Sequence, residues 1–141
     1  MKRVKDIMNP FPLMVEKETT LTEALAIMKE KRISHLPIIS ANRLVGIIAK
    51  EDLLNAMLDL AIESSGKKYN EIFLKTTAVD KIMTTDLITA RTTDSLLETI
   101  SKMLDRGLHC IPVVNDDFEP VGLLHPMDVL KAYTAGAENI L

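Results

Sequence analysis

Apolar and polar positions follow two different spacings along this chain, and the same succession of spacings is met twice. Leu21, Ala24, Leu25 and Met28 fall at i, i+3, i+4 and i+7, which is one face of a helix. Thr20-Leu21-Thr22-Glu23 in front of them is a capping-box pattern that marks the helix start. Leu96, Ile100, Met103 and Leu104 repeat the face behind Ser95-Leu96-Leu97-Glu98. Lys29, Lys31 and Arg32 close the first helix and complement its dipole, while Gly107 closes the second. Two runs of branched residues follow, His35 to Ile39 and Leu44 to Ile48, and the turn Ser40 to Arg43 predicts a hairpin. In the second half the matching turn, Asn115 to Pro120, is longer. Pro37 and Pro112 inside such runs predict edge strands or strand starts. Second helices are predicted from Glu51 to about Ile62 and from Met127 to about Ala135, with Pro126 at a first helical position. Ahead of each first helix lies a short apolar stretch broken by Pro or Thr, Ile7 to Val15 and Ile82 to Ala90, which reads as a strand. Residues 63–78, with Ser64-Ser65-Gly66-Lys67-Lys68, read as a linker carrying a short helix over Tyr69 to Leu74.

The two halves are copies. Val4-Lys5-Asp6-Ile7-Met8 returns as Val79-Asp80-Lys81-Ile82-Met83, 75 positions on, and Leu36-Pro37-Ile38-Ile39 returns as Ile111-Pro112-Val113-Val114. Val45-Gly46-Ile47-Ile48 returns one position further out, as Val121-Gly122-Leu123-Leu124. Self-similarity at a long period means two copies of one structural unit. The predicted fold is mixed α/β, with two tandem strand-helix-strand-strand-helix repeats over 7–62 and 82–138. A unit of about 60 residues is marginal alone, so the two are expected to pack about a pseudo-twofold axis and to share an interface where a ligand would sit.

Composition narrows the function classes. At 141 residues and 47% apolar, the chain can build a core, and no run of about 20 apolar residues is present to span a bilayer. No signal-peptide pattern opens it and its one cysteine, Cys110, excludes an internal disulfide framework, so a cytoplasmic protein is expected. Net charge is −3 without a basic run, and there are two Tyr, three Phe and no Trp, which argues against nucleic-acid binding. The charge is uneven: residues 1–61 hold 9 basic and 8 acidic side chains, residues 79–141 hold 5 and 10. An anion meets a friendlier field in the first copy.

The ordered set of Ile-Met, a capped helix, apolar-Pro-Val/Ile-Val/Ile and Gly-apolar-apolar-x-x-x-Asp, found twice, resembles the CBS domain (cystathionine beta-synthase motif). The pair resembles a Bateman module and covers nearly the whole chain. The resemblance implies a sensor that binds AMP, ADP, ATP or S-adenosylmethionine in the clefts between repeats as a regulatory ligand, with no cofactor required. It also implies a homodimer that acts on an unidentified regulated protein. Leu53, Leu54, Met57, Leu58, Val129 and Leu130 are candidates for the dimer contact, or equally for the core of the monomer.

Asp52 and Asp128 match the family's closing Asp, which accepts hydrogen bonds from ribose hydroxyls. An acidic residue in a first helical turn is also favoured by the dipole alone. The family's Ser or Thr three residues earlier is replaced by Ala49 and His125, with Lys50 or His125 as compensating phosphate contacts at a helix N-terminus. Thr89 matches a ligand-facing Thr of the first strand, where copy one has Met14, and also reads as an ordinary β-branched strand residue. The segments carrying His35 and His109 are expected to line a base pocket.

Three other readings compete. Loss of the two hydroxyls fits a structural or dimerising module with decayed sites. His35, His109, His125 and Cys110 fit a metal or redox sensor, although no two have a ligand-pair spacing. Catalysis has no support, since nucleophile elbow, phosphate-cradling glycine loop and metalloprotease helix are all absent from the sequence.

Overall fold

The computed structural model describes residues 2–63 and 67–136. In chain order the elements are α1 (Val4–Ile7), β1 (Asn9–Pro10), β2 (Val15–Glu16), α2 (Leu21–Lys31), β3 (His35–Ser40), β4 (Arg43–Ala49), α3 (Lys50–Glu63) and α4 (Lys67–Thr76). A 3-10 turn at Val79–Lys81 precedes α5 (Leu96–Arg106), β5 (Ile111–Val114), β6 (Pro120–Leu124) and α6 (Pro126–Thr134). The mixed α/β class and the two repeats stand as read from the sequence. Of the expected linker, Ser64 to Gly66 lie outside the described residues, as do Ala137 to Leu141, which include the last two positions of the expected second repeat. Tyr69 to Leu74 fall inside the longer helix α4.

The chain forms two compact units, one of residues 13–87 and one of residues 1–12 with 88–141. These are not the two sequence repeats, because the segment leading into each repeat divides. In the unit 13–87, β2, β3 and β4 form a sheet in that order, and Thr84 bridges Ile47 on β4. In the other unit the sheet runs β1-β6-β5, and Ala90 bridges Val113 on β5. The first half of each lead segment therefore pairs with the last strand of the opposite repeat, and only the second half stays with its own. Ile7 to Val15 is accordingly not one strand but part of α1 and two short strands in different sheets.

The backbone repeats this exchange. The Val4 N–H donates to the Asp94 carbonyl at 3.0 Å, and the Leu96 N–H to Lys2 at 3.1 Å. The matching pair is Val79 N–H to Thr19 at 2.7 Å and Leu21 N–H to Thr77 at 3.0 Å. Each unit has its own core, and each core takes one valine from the other repeat's lead segment. Leu21, Met28, Leu36, Ile38, Ile48 and Leu53 close around Val79. Leu96, Met103, Ile111, Val113 and Leu124 close around Val4.

Local chemistry sets the element ends. Thr20 and Glu23 form the reciprocal capping box of α2, and the Ser95 hydroxyl accepts the Glu98 N–H at 3.3 Å. Ala41 and Asn42, at φ 50 and 66, make the two-residue turn that matches the twist of a tight hairpin. Pro37 departs from the edge-strand expectation, since β3 is the middle strand. Its partner Ile47 uses its own N–H and carbonyl on Thr84, so Pro37 faces Ile47 across a non-hydrogen-bonded pair. Its missing N–H then points toward the β2 side, where β2 reaches only Ile38 and Ile39 and no bond is forfeited.

Candidate functional site

Each closing aspartate caps its helix with one carboxylate oxygen. Asp52 Oδ2 accepts the Ala49 N–H at 2.7 Å, and Asp128 Oδ2 accepts the His125 N–H at 2.8 Å. The other oxygen of each has no hydrogen-bond partner among the described residues. The structural role therefore leaves one acceptor oxygen in each half-buried side chain. His125 stands in for the missing hydroxyl of copy two: its Nδ1 accepts the Met127 N–H at 3.4 Å, at the N-cap of α6. Ala49 has no side chain that could do this.

Around Asp128 lies a cavity of about 470 Å³, walled by Asp6, Ile7, Met8, Asn9 and Pro10 together with Asp128, Lys131 and Ala132. That volume is in the range of small-ligand sites. Both sequence repeats contribute to it, because the exchange brings the lead segment of the first beside α6 of the second. Gly122 in β6 keeps the wall close: a Cβ there would lie 2.5 Å from Met8 Sδ and 3.1 Å from the Asn9 carbonyl. Sequence reasoning missed Asp6 to Pro10 and Lys131, since the repeat alignment does not say which copy a lead segment packs on.

In the unit 13–87 a cavity of about 410 Å³ is walled by Met28, Lys29, Arg32, Ile33, Ser34 and Lys50. Lys50 is placed there by its N–H, which donates to the Ser34 carbonyl at 2.8 Å. The basic cluster that ends α2 has thus a second aspect besides its dipole. His35 opens β3 half-buried with its Nδ1 3.0 Å from Ser34 Oγ, His109 is exposed in the loop before β5, and Thr89 is half-buried beside Ala90. None of these three lines either cavity.

Cys110 does not suit thiolate chemistry. Burial, and then the negative charge of Asp128, push its thiol up from the ordinary 9.0 to about 12. Among the described residues no three His, Cys, Asp or Glu side chains gather where they could hold a metal ion. Nor is any helix among them long and apolar enough to cross a membrane.

The family model of the CBS domain matches residues 4–59 and 79–135, and the chain belongs to this family as a tandem CBS pair, a Bateman module. CBS domains are regulatory, non-catalytic modules. The chain is similar to the homoserine O-acetyltransferase of Methanohalobium evestigatum, 27% identical over 129 residues, which are 91% of this chain and 23% of that protein. It spans less than half the length of such curated relatives. Among solved structures it resembles the CBS domain pair of protein MJ0100 in complex with 5′-methylthioadenosine and S-adenosyl-L-methionine. The TM-score is 0.79 at 26% identity, covering 96% of this chain and 98% of that one. It also resembles CBSX2 in complex with AMP, with a TM-score of 0.78 at 26% identity and the same coverage of both chains.

Proposed function

We propose that this CBS pair is a sensor of adenosine-containing ligands that works as a cytoplasmic homodimer and signals to a separate regulated protein. The observation that carries the reading is the Asp128 cavity, a space of ligand size lined by a carboxylate that has one oxygen already anchored. A carboxylate so fixed suits the paired hydroxyls of a ribose, with geometry set in advance by the helix cap. The adenosyl ligands of MJ0100 and CBSX2 support the same class. His125 is the further candidate contact beside Asp128, with Thr89 and His109 in the frame of the same unit, while Asp52 and Lys50, with His35 in their frame, are the candidate contacts of the unit 13–87.

A ligand of this kind acts by population shift. It favours one conformation or one dimer geometry, and only as far as its affinities for the two states differ. Leu54 and Leu58 on α3, and Met127, Leu130 and Tyr133 on α6, are exposed apolar side chains suited to a second copy, whereas Leu53 is spent in the core.

Thermal melting with AMP, ADP, ATP, S-adenosylmethionine and Zn²⁺ in parallel tests the proposal. A ligand at about 100 times Kd adds roughly 2.7 kcal/mol, a visible shift. A rise with an adenosyl ligand that Asp128→Ala or Asp52→Ala abolishes is the expected result. No rise with any of them at millimolar concentration leaves a structural module, and a rise with Zn²⁺ alone a metal sensor.

A further inference from the structure

The cavity beside α2 has a sharper chemical character than the one at Asp128. Three of its six wall residues, Lys29, Arg32 and Lys50, are cations and none is acidic. Among the described residues the ion pairs are Lys31 with Glu30 and Arg91 with Asp116, and none of the three wall cations is in one. The Asp128 cavity has the opposite balance, Asp6 and Asp128 against Lys131.

Arg32 adds a second, independent observation. It caps α2 at φ 55 and ψ 45, in the left-handed region that penalises any residue with a Cβ. At the equivalent position α5 ends on Gly107, at φ 62, where no penalty arises. A strained arginine where the other copy uses glycine points to a side chain retained for its charge.

We propose that the Lys29, Arg32 and Lys50 cavity is a polyphosphate site, so that the module sorts ligands by charge. The basic cavity takes a chain of phosphoryl groups, either free or carried by a nucleoside. The Asp128 cavity takes adenosyl ligands without phosphate, including those with a cationic sulfonium. Three cations lining one cavity complement several adjacent phosphoryl charges and repel a sulfonium. The adenosyl half rests on the function proposed above, while the anion half stands without it.

Titration calorimetry with inorganic tripolyphosphate, ATP and adenosine separates the two. The proteins compared are wild type, Lys29→Gln/Lys50→Gln, Arg32→Gln and Lys131→Gln, all altered at exposed positions that leave the cores intact. Tripolyphosphate is expected to bind wild type and Lys131→Gln alike, and roughly ten-fold or more weakly to the other two variants. ATP binding more tightly than tripolyphosphate identifies a nucleotide as the source of the chain, and equal affinity identifies free polyphosphate. Adenosine binding without tripolyphosphate binding overturns the polyphosphate site and leaves the adenosyl reading standing. Tripolyphosphate binding that Lys131→Gln weakens and Lys29→Gln/Lys50→Gln does not also overturns it.

Discussion

The side chain of Met8 lies on the bare backbone of Gly122, and the side chain of Met83 lies in the same way on Gly46. Each methionine lies in the first half of the lead segment of one repeat, and each glycine sits in the last strand of the other. The Ile-Met and Gly-apolar-apolar motifs that identify the family are therefore two halves of one contact, made twice. The contact holds the wall of the Asp128 cavity in place.

The two glycines are expected to respond differently to a methyl group. A Cβ at Gly122 meets the Asn9 carbonyl as well as Met8, whereas at Gly46 it meets only the flexible Met83 side chain. Gly122→Ala should cost roughly 1–3 kcal/mol in chemical denaturation, and pairing it with Met8→Ala should not restore the loss. Gly46→Ala should cost less, and the double-mutant cycle with Met83→Ala should show a coupling of roughly 0.5 kcal/mol or more.

Much of this arrangement was legible in the residues, and the rest was hidden for a definite reason. The capping box at Thr20, the Ser95 hydroxyl cap that forms only half of the box its spacing predicts, the hairpin turn at Ala41 and Asn42, and the stop at Gly107 are local, so sequence spacing shows them directly. The exchange of Val4 and Val79 between cores is not local. Both valines occupy the same place in their repeats, and an alignment is unchanged whichever core receives them. For that reason Asp128 was legible as a candidate, and the Asp6 to Pro10 segment that walls the same cavity was not. Lys29 and Arg32 were legible only as a helix end, because the hydrogen bond from Lys50 to Ser34 that completes their cavity joins segments far apart in sequence.

Arg32→Gly should stabilise the protein by about 1 kcal/mol, since it places at the end of α2 the residue that Gly107 supplies to α5. Urea denaturation measures the gain. The same variant should bind tripolyphosphate more weakly, the signature of stability given up for a charge. A loss of stability would show that the Arg32 side chain holds the helix end.

Cys110 should make the fold sensitive to alkali. An unfolded thiol ionises near 9.0, and the half-buried one in the folded protein keeps its proton until about 12. A group whose folded pKa is raised contributes fully below its unfolded pKa and loses that contribution as pH rises through the folded one. The contribution is therefore complete below about pH 9 and lost between 9 and 12, worth about 4 kcal/mol at most. Melting of wild type should fall faster over that window than melting of Cys110→Ala, and the native thiol should resist iodoacetamide at pH 8.

Asp52→Ala and Asp128→Ala should each cost about 1 kcal/mol of stability through the lost helix cap, whether or not a ligand is present. Denaturation without ligand measures this part alone. Replacement by Asn should recover most of it, because an amide oxygen can still accept the Ala49 or His125 N–H.

The proposed sensing function requires that the Asp128 cavity hold an adenosyl ligand. The direct measurement is titration calorimetry of 5′-methylthioadenosine and AMP into wild type and Asp128→Asn, at a temperature where both are folded. Saturable binding to wild type that weakens roughly ten-fold or more in Asp128→Asn is the predicted result. Absence of saturable heat with either ligand at millimolar concentration, or equal binding to both proteins, would contradict it.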